Sequence, residues 1–198
     1  GASTAEEVSE AMTLLKDQHE NVCLMQCNTN YDGKVTHAKY QNLNVLKSFH
    51  ESFSNCVLGL SCHMPGPISV IGSVALGARV IEKHFTDDRT RPGPDHGFAI
   101  EPAEWKKMVE ETRLLEAMLG DGNKKIEENE QDTVIVQQRA LWITNDMEVG
   151  DIMKDSYFEV LRPCPKDAIK PSKIKDIIGK PIRSQVKIGD YLRMDHFE

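Results

Sequence analysis

Apolar positions along the chain recur at two spacings, and the alternation between them outlines the architecture. Val8, Ala11, Met12 and Leu15 fall three or four residues apart behind a Ser3/Glu6 capping pair and predict an opening helix. The run Asn21 to Cys27 (NVCLMQC), bounded by the polar NTNYDG segment, predicts a buried strand ending in a turn. Tyr40, Leu43, Leu46, Phe49 and Phe53 return to helical spacing. Val57 to Ser61 (VLGLS) reads as a second strand, Pro67 to Ala78 as a helix-length apolar segment, and Arg79 to Phe85 (RVIEKHF) as a third strand. Trp105, Met108, Val109, Thr112, Leu115 and Leu119 mark a last helix, stopped by Gly120. Strands alternating with helices in this way form parallel βαβ units with right-handed crossovers, and a barrel or an open sheet would satisfy the pattern.

The pattern changes after Gly120. Residues 120–133 (GDGNKKIEENEQDT) hold one aliphatic side chain, too little for a core, and predict an interdomain linker. Beyond it, short strand-like pieces carry a small repeat: Gly150-Asp151-x-x-Lys154-x-x-x-Phe158 is echoed by Gly189-Asp190-x-x-Arg193-x-x-x-Phe197. Two copies are too few for a solenoid. They predict a pseudo-symmetric small β domain with one helix near Pro171 to Ile178, close to the lower size limit for independent folding.

Composition narrows the class. The 198 residues are 39% hydrophobic and 28% charged, with 31 acidic against 24 basic side chains and a net charge of -7. No basic stripe is present to track a phosphate backbone, so nucleic acid is not an expected partner. The most apolar run, Pro67 to Ile81, is broken by Gly and Ser and falls short of the ~20 residues a membrane helix needs. No signal peptide is recognisable. Five cysteines, Cys23, Cys27, Cys56, Cys62 and Cys164, form an odd set without C-x-x-C, which argues for a reducing cytoplasm and against a disulfide framework. A start at Gly1 points to a processed product or an excerpt of a longer chain.

Candidate chemistry gathers at the strand ends. His63 follows one strand and His84 closes the next, so a parallel βαβ unit brings both imidazoles to the C-terminal edge of adjacent strands, ~4.8 Å apart. They either share one divalent cation or each bond a backbone carbonyl. Two imidazoles do not close a structural zinc site; water and substrate oxygens would fill the rest, which suits Mn²⁺ or Mg²⁺ as well as Zn²⁺. Asp95, held by the Arg91-Pro92-Gly93-Pro94 bend, and Asn28, Thr29, Asn30 and Tyr31 after the first strand sit on the same rim, as binding groups or as solvated turns.

Four strings, GLSCH (Gly59 to His63), VALGARVIEKHFTDD (Val74 to Asp88), RPGPDHGF (Arg91 to Phe98) and LRPCPKDAI (Leu161 to Ile169), together resemble the N-acetylneuraminate (sialic acid) synthase family. The resemblance runs in order through nearly the whole chain. It implies an α/β fold: part of a (β/α)₈ TIM barrel, about strands six to eight, over residues 1–119; a linker over 120–133; and a small β-rich SAF (antifreeze-like, β-clip) domain over 134–198. It also implies condensation of phosphoenolpyruvate with an open-chain N-acetylated amino sugar such as N-acetylmannosamine, releasing phosphate and giving a nine-carbon 2-keto acid. His63 and His84 match the pair that binds the divalent metal, usually Mn²⁺, which polarises the sugar aldehyde. Ser61 matches a phosphoenolpyruvate-binding position, Tyr31 and Asp95 positions that hold the sugar, and Thr29 a position where the family often has a substrate-contacting Asn or Ser. Arg162 matches a residue that reaches into the partner subunit's site in a homodimer with exchanged caps. Two departures stand out. Cys62 replaces the usual Asp of G-L-S-D-H, which predicts altered metal affinity or proton handling, and Met64 replaces a common Thr.

A full barrel takes ~250 residues, so only three strands fit, and the family's phosphoenolpyruvate-binding lysines fall outside this sequence. The isolated chain is therefore expected not to complete the reaction. Two alternatives follow: a non-catalytic sugar-binding module that keeps the SAF domain, or a half-barrel completed by a separate polypeptide.

Overall fold

A computed structural model describes all 198 residues, which divide into two compact units, Gly1–Asn123 and Lys124–Glu198. The first opens with α1 (Ala5–Lys16). Its cap is Thr4, one residue beyond the expected Ser3. The extended Thr4 backbone lets its hydroxyl accept the Glu7 N–H at 3.3 Å while the Glu7 carboxylate accepts the Thr4 N–H at 2.8 Å. Such a cap contributes about 1 kcal/mol.

Three strands follow, β1 (Cys23–Cys27), β2 (Val57–Cys62) and β3 (Val80–Lys83), in one parallel sheet ordered β1-β2-β3. Between them lie α2 (Val45–Ser52) and α3 (Ile68–Ala75), and α4 (Pro102–Leu119) closes the unit. The helix expected from Tyr40 to Phe53 is broken. A 3₁₀ turn spans Val35–Tyr40, Asn42 takes a left-handed φ of 46°, and only then does α2 begin. Asn tolerates that conformation, and the Gln26 side chain ties the break to β1 by donating to the Gln41 carbonyl at 3.1 Å. The third strand is also shorter than expected: beyond Lys83 only Phe85 pairs, in a single parallel bridge to Ile100.

Side-chain alternation assigns the two faces of this sheet. Leu58, Leu60 and Cys62 are buried on the helix side, where Leu60, Cys62, Met64, Val70, Ile100 and Met108 form one apolar cluster and Leu46, Leu58 and Ala78 another. Gly59, Ser61 and Glu82 alternate onto the opposite face, and the same alternation carries on to His63 and His84.

The second unit carries α5 (Gln131–Gln137) and an antiparallel pair, β4 (Ala140–Ile143) with β5 (Phe158–Leu161). The polar stretch read as a bare linker is structured at its end. A 3₁₀ turn at Glu128–Glu130 runs into α5, whose Ile135 carbonyl accepts the Cys164 N–H at 2.8 Å. Pro171 to Ile178, expected to be helical, forms a shorter 3₁₀ turn over Pro171–Asp176.

The Gly-Asp repeat has a direct structural meaning. Ile143 N–H donates to the Asp190 carbonyl and Ile182 N–H to the Asp151 carbonyl, both at 2.8 Å, while Met147 and Val186 exchange both backbone bonds at 2.9 and 3.1 Å. The two copies thus embrace each other about a pseudo-two-fold. In each turn the Asp carboxylate accepts an N–H three residues back, Glu148 at 2.9 Å and Lys187 at 2.8 Å, and the glycine takes a positive φ, 99° at Gly150 and 92° at Gly189. Leu141, Met153, Ile177, Leu192 and Phe197 are among the side chains buried in the resulting core.

Candidate functional site

The register of the parallel sheet builds the site. Gly59 pairs with Val80 and Ser61 with Glu82, an offset of 21 residues, so the next inward positions, His63 and His84, stand opposite each other just past the strand ends. Their ring centroids are 5.0 Å apart. His63 is buried, and its Nδ1 lies 2.8 Å from the Asn28 carbonyl oxygen. A carbonyl only accepts, so Nδ1 carries a proton, and in the neutral ring Nε2 is the nitrogen with the lone pair. Of the two readings left open by the sequence, the structure shows the carbonyl bond at His63, and such a bond is compatible with ligation through the other ring nitrogen. His84 Nδ1 is 3.7 Å from Asp95 Oδ2, and its backbone carbonyl accepts the Ile100 N–H at 2.8 Å.

Tyr31 joins this pair. Its ring lies 4.0 Å from that of His63 and 5.6 Å from that of His84, and Phe98 closes the group at 5.0 Å from His84. The Tyr31 loop is held by three successive Asx-turns, in which the side-chain oxygens of Asn28, Asn30 and Asp32 accept the N–H groups of Asn30, Asp32 and Lys34 at 3.0 to 3.1 Å. The Lys34 N–H, with lesser help from His37, holds the Asp32 carboxyl below the usual range. Gly33, at φ 62°, packs so close to Phe98 that a Cβ there would lie 2.3 Å from the Phe98 Cβ.

The other expected site residues divide. Asp95 lies beside His84, and Thr29 is exposed just past β1. Ser61 is on the same inward face, with its hydroxyl donating to Glu82 at 2.5 Å. Arg162 belongs to the second unit, where it is exposed. Glu82 and Phe98 were not anticipated. The offset that pairs the histidines also pairs Ser61 with Glu82, so Glu82 was within reach of the same reading.

Cys62 requires a correction. Although adjacent to His63 in sequence, its side chain alternates to the helix side and is 1% exposed, out of direct reach of a cation held by the imidazoles. There Sγ accepts the Met64 N–H at 3.4 Å and lies 2.8 Å from Ser69 Oγ and 3.7 Å from Lys83 Nζ. Met64, in place of the common Thr, buries its side chain in the apolar cluster. Lys83 is 7% exposed and donates to the Met64 carbonyl; burial pushes its ammonium below the usual lysine range, with Cys62 opposing that shift.

No three His, Cys, Asp or Glu side chains gather as a ready-made metal cluster. The donor set suits a divalent cation in kind: two imidazoles with ring centroids 5.0 Å apart, His63 buried and His84 partly exposed beside the Asp95 carboxylate. A hollow of about 200 Å³ under Val70, Val74, Ile81, Trp105 and Met108 lies on the helix side instead and brings no such chemistry together. No helix is long and apolar enough to cross a membrane.

Relatives of this chain include named synthases of acidic sugars. The chain is 32% identical over its full length to the N,N'-diacetyllegionaminic acid synthase of Legionella pneumophila, covering 55% of that protein. It is 30% identical over 98% of its length to the synthase of the same name from Campylobacter jejuni, covering 57% of it. The crystal structure of N-acetylneuraminic acid (sialic acid) synthetase from Leptospira borgpetersenii, in complex with citrate, superposes with a TM-score of 0.60 at 30% identity, over 68% of this chain and 46% of that one. The chain spans about half the length of the curated relatives it matches. The NeuB family profile matches residues 1–124, the unit that holds the paired imidazoles, the Tyr31 loop and the Ser61–Glu82 contact, and by that match together with full-length similarity to two named synthases the chain belongs to the NeuB family.

Proposed function

We propose that the chain supplies the strand-end portion of a sialic-acid-type synthase, which joins phosphoenolpyruvate to an N-acetylmannosamine-like amino sugar. The enol carbon forms a bond to the sugar aldehyde carbon, water adds at the former enol C2, and phosphate leaves to give a nine-carbon 2-keto acid. His63 and His84 would hold a divalent cation, Mn²⁺ before Mg²⁺, and that ion would supply Lewis-acid polarisation of the sugar aldehyde. The Asn28 carbonyl orients the His63 ring through Nδ1, and the Asp95 carboxylate stands 3.7 Å from His84 Nδ1. The Tyr31 hydroxyl and Asp95 position the sugar, with Thr29 at the edge. Ser61 binds phosphoenolpyruvate; because its proton goes to Glu82, engaging an acceptor-only anion means exchanging that partner. The single observation that carries this reading is the 5.0 Å approach of the two imidazoles, with the His63 tautomer fixed by the Asn28 carbonyl.

In the same reading residues 134–198 form an SAF domain that caps the site of a second subunit in a homodimer, with Arg162 offering fixed donors to the N-acetyl group, and the protein works in the cytoplasm. Cys62 lies on the far side of the sheet from the imidazoles, so its presence in place of Asp does not favour the non-catalytic module. The test is Mn²⁺ titration of the chain and of its His63→Ala and His84→Ala variants, with phosphate release from phosphoenolpyruvate followed when N-acetylmannosamine and any companion barrel segment are supplied. Each alanine variant is expected to abolish Mn²⁺ binding. Unchanged stoichiometry in either one overturns the assignment.

A further inference from the structure

Lys83 is a buried ammonium on the opposite side of the sheet from the site, in a position where an aliphatic side chain would meet the neighbouring apolar cluster without desolvation cost. Its partners explain its placement. Lys83 precedes His84 on β3, whereas both groups it reaches flank His63: the Met64 carbonyl, to which Nζ donates, and Cys62 Sγ, 3.7 Å away. Cys62 Sγ in turn receives the Met64 N–H and contacts Ser69 Oγ at the start of α3. One side chain thus links the segment bearing His84 to both residues adjoining His63. Cys62 and Lys83 form the last ladder pair between these two segments, so the register brings the histidines opposite each other but no backbone pairing of their own holds the rings at a set separation.

We propose that Lys83 is a positioning residue that sets the separation of His63 and His84 from behind the sheet by tying the end of β3 to the turn after β2. This rests on the cation-binding reading of the imidazole pair. Lys83 touches neither substrate nor cation; it acts through the backbone of Met64 and the sulfur of Cys62.

Replacing Lys83 by Met keeps the aliphatic stem and removes the ammonium. Exchanging a buried ammonium that has no carboxylate partner for an apolar group of similar shape removes a desolvation cost that offsets the bond lost at the Met64 carbonyl, which separates positioning from support of the fold. Lys83→Gln retains one donor of shorter reach. The readout is the EPR signal of free Mn²⁺ during titration of the 198-residue chain, with thermal melting run in parallel. Lys83→Met is expected to bind Mn²⁺ at least about tenfold more weakly, the size of effect seen when groups that orient metal ligands are removed, at an unchanged or higher melting temperature, with Lys83→Gln between it and the parent. The His63 ring resonances in long-range ¹H–¹⁵N spectra are expected to shift in Lys83→Met without metal present. Parental affinity in both variants overturns the role of Lys83 and leaves the histidine assignment standing. An affinity loss that merely tracks a lowered melting temperature also overturns it. If Lys83→Met does not melt cooperatively, Lys83→Gln alone decides by the same criteria. A parent chain whose Mn²⁺ binding equals that of His84→Ala removes the cation reading itself, and the proposal with it.

Discussion

The two units solve the problem of burying apolar surface in opposite ways. The first is layered on one side only: helices cover Leu58, Leu60 and Cys62, while the other face of the same strands presents Ser61, Glu82 and the two imidazoles and leaves Val57 and Val80 about 40 to 46% exposed. The second closes on itself. Its two Gly-Asp arms exchange backbone bonds about a pseudo-two-fold, and the ten side chains of its core are at most 7% exposed. Within this chain the paired imidazoles stand on the open face of the first unit, and the most completely buried core lies in the second.

Truncation of one core side chain in each unit puts this contrast to a test. Leu60→Ala and Leu192→Ala each remove a side chain 1% or less exposed and are expected to cost about 2–5 kcal/mol. Leu60 lies in β2 two residues before the strand's end, so its loss is also expected to weaken Mn²⁺ binding. Leu192→Ala is expected to destabilise the second unit while Mn²⁺ binding persists. Denaturant melts followed beside the Mn²⁺ titration check both. Equal loss of Mn²⁺ affinity in the two variants would mean that the units are one cooperative structure.

A smaller effect sharpens the account of the closed unit. Asp151 and Asp190 perform the same task at equivalent turns, accepting the N–H of Glu148 and of Lys187. Asp151→Ala and Asp190→Ala are therefore expected to cost similar amounts, about 1 kcal/mol each. Chemical denaturation measures this, and a large inequality would show that the pseudo-two-fold is geometric but not energetic.

These features were unequally legible in the sequence. Strand order and the meeting of the histidines follow from periodicity, because the alternation of a strand and the constant offset of a parallel ladder are enough to place His63 opposite His84. The Gly-Asp repeat was equally readable, since a positive φ and a carboxylate acceptor both need particular residue types. The break before α2 was not, because Tyr40, Leu43 and Leu46 keep helical spacing across Asn42, and only tertiary bonding to Gln26 shows that the chain turns there. Cys62 and Lys83 were hidden for a related reason. Adjacency to His63 put Cys62 beside the expected metal ligands, yet alternation sends neighbours to opposite faces, and Lys83 was not singled out because a lysine in a strand is ordinarily solvent-facing. The capping residue of α1 slipped by one because Ser3/Glu6 and Thr4/Glu7 satisfy the same spacing rule.

The smallest expected effect concerns pH and singles out the closed unit. His196 is buried there, with its Nδ1 accepting the Arg193 N–H at 3.4 Å and its Nε2 3.8 Å from Asp195. Burial, and then the Arg193 charge, push its pKa below the ordinary 6.5, against weaker opposition from Asp195, Asp190 and Asp167. The unfolded chain therefore binds this proton more readily than the folded one, and stability contributed by the neutral ring is present above pH 6.5 and declines as pH falls toward the lower folded value. Melting of the second unit, read from Trp142 fluorescence, is expected to weaken between pH 7 and about pH 5, and His196→Asn, which keeps an acceptor near the Arg193 N–H, is expected to flatten that slope. A slope unaltered by His196→Asn would assign the acid sensitivity to carboxylates at the surface, and the core of the closed unit would then be indifferent to protonation.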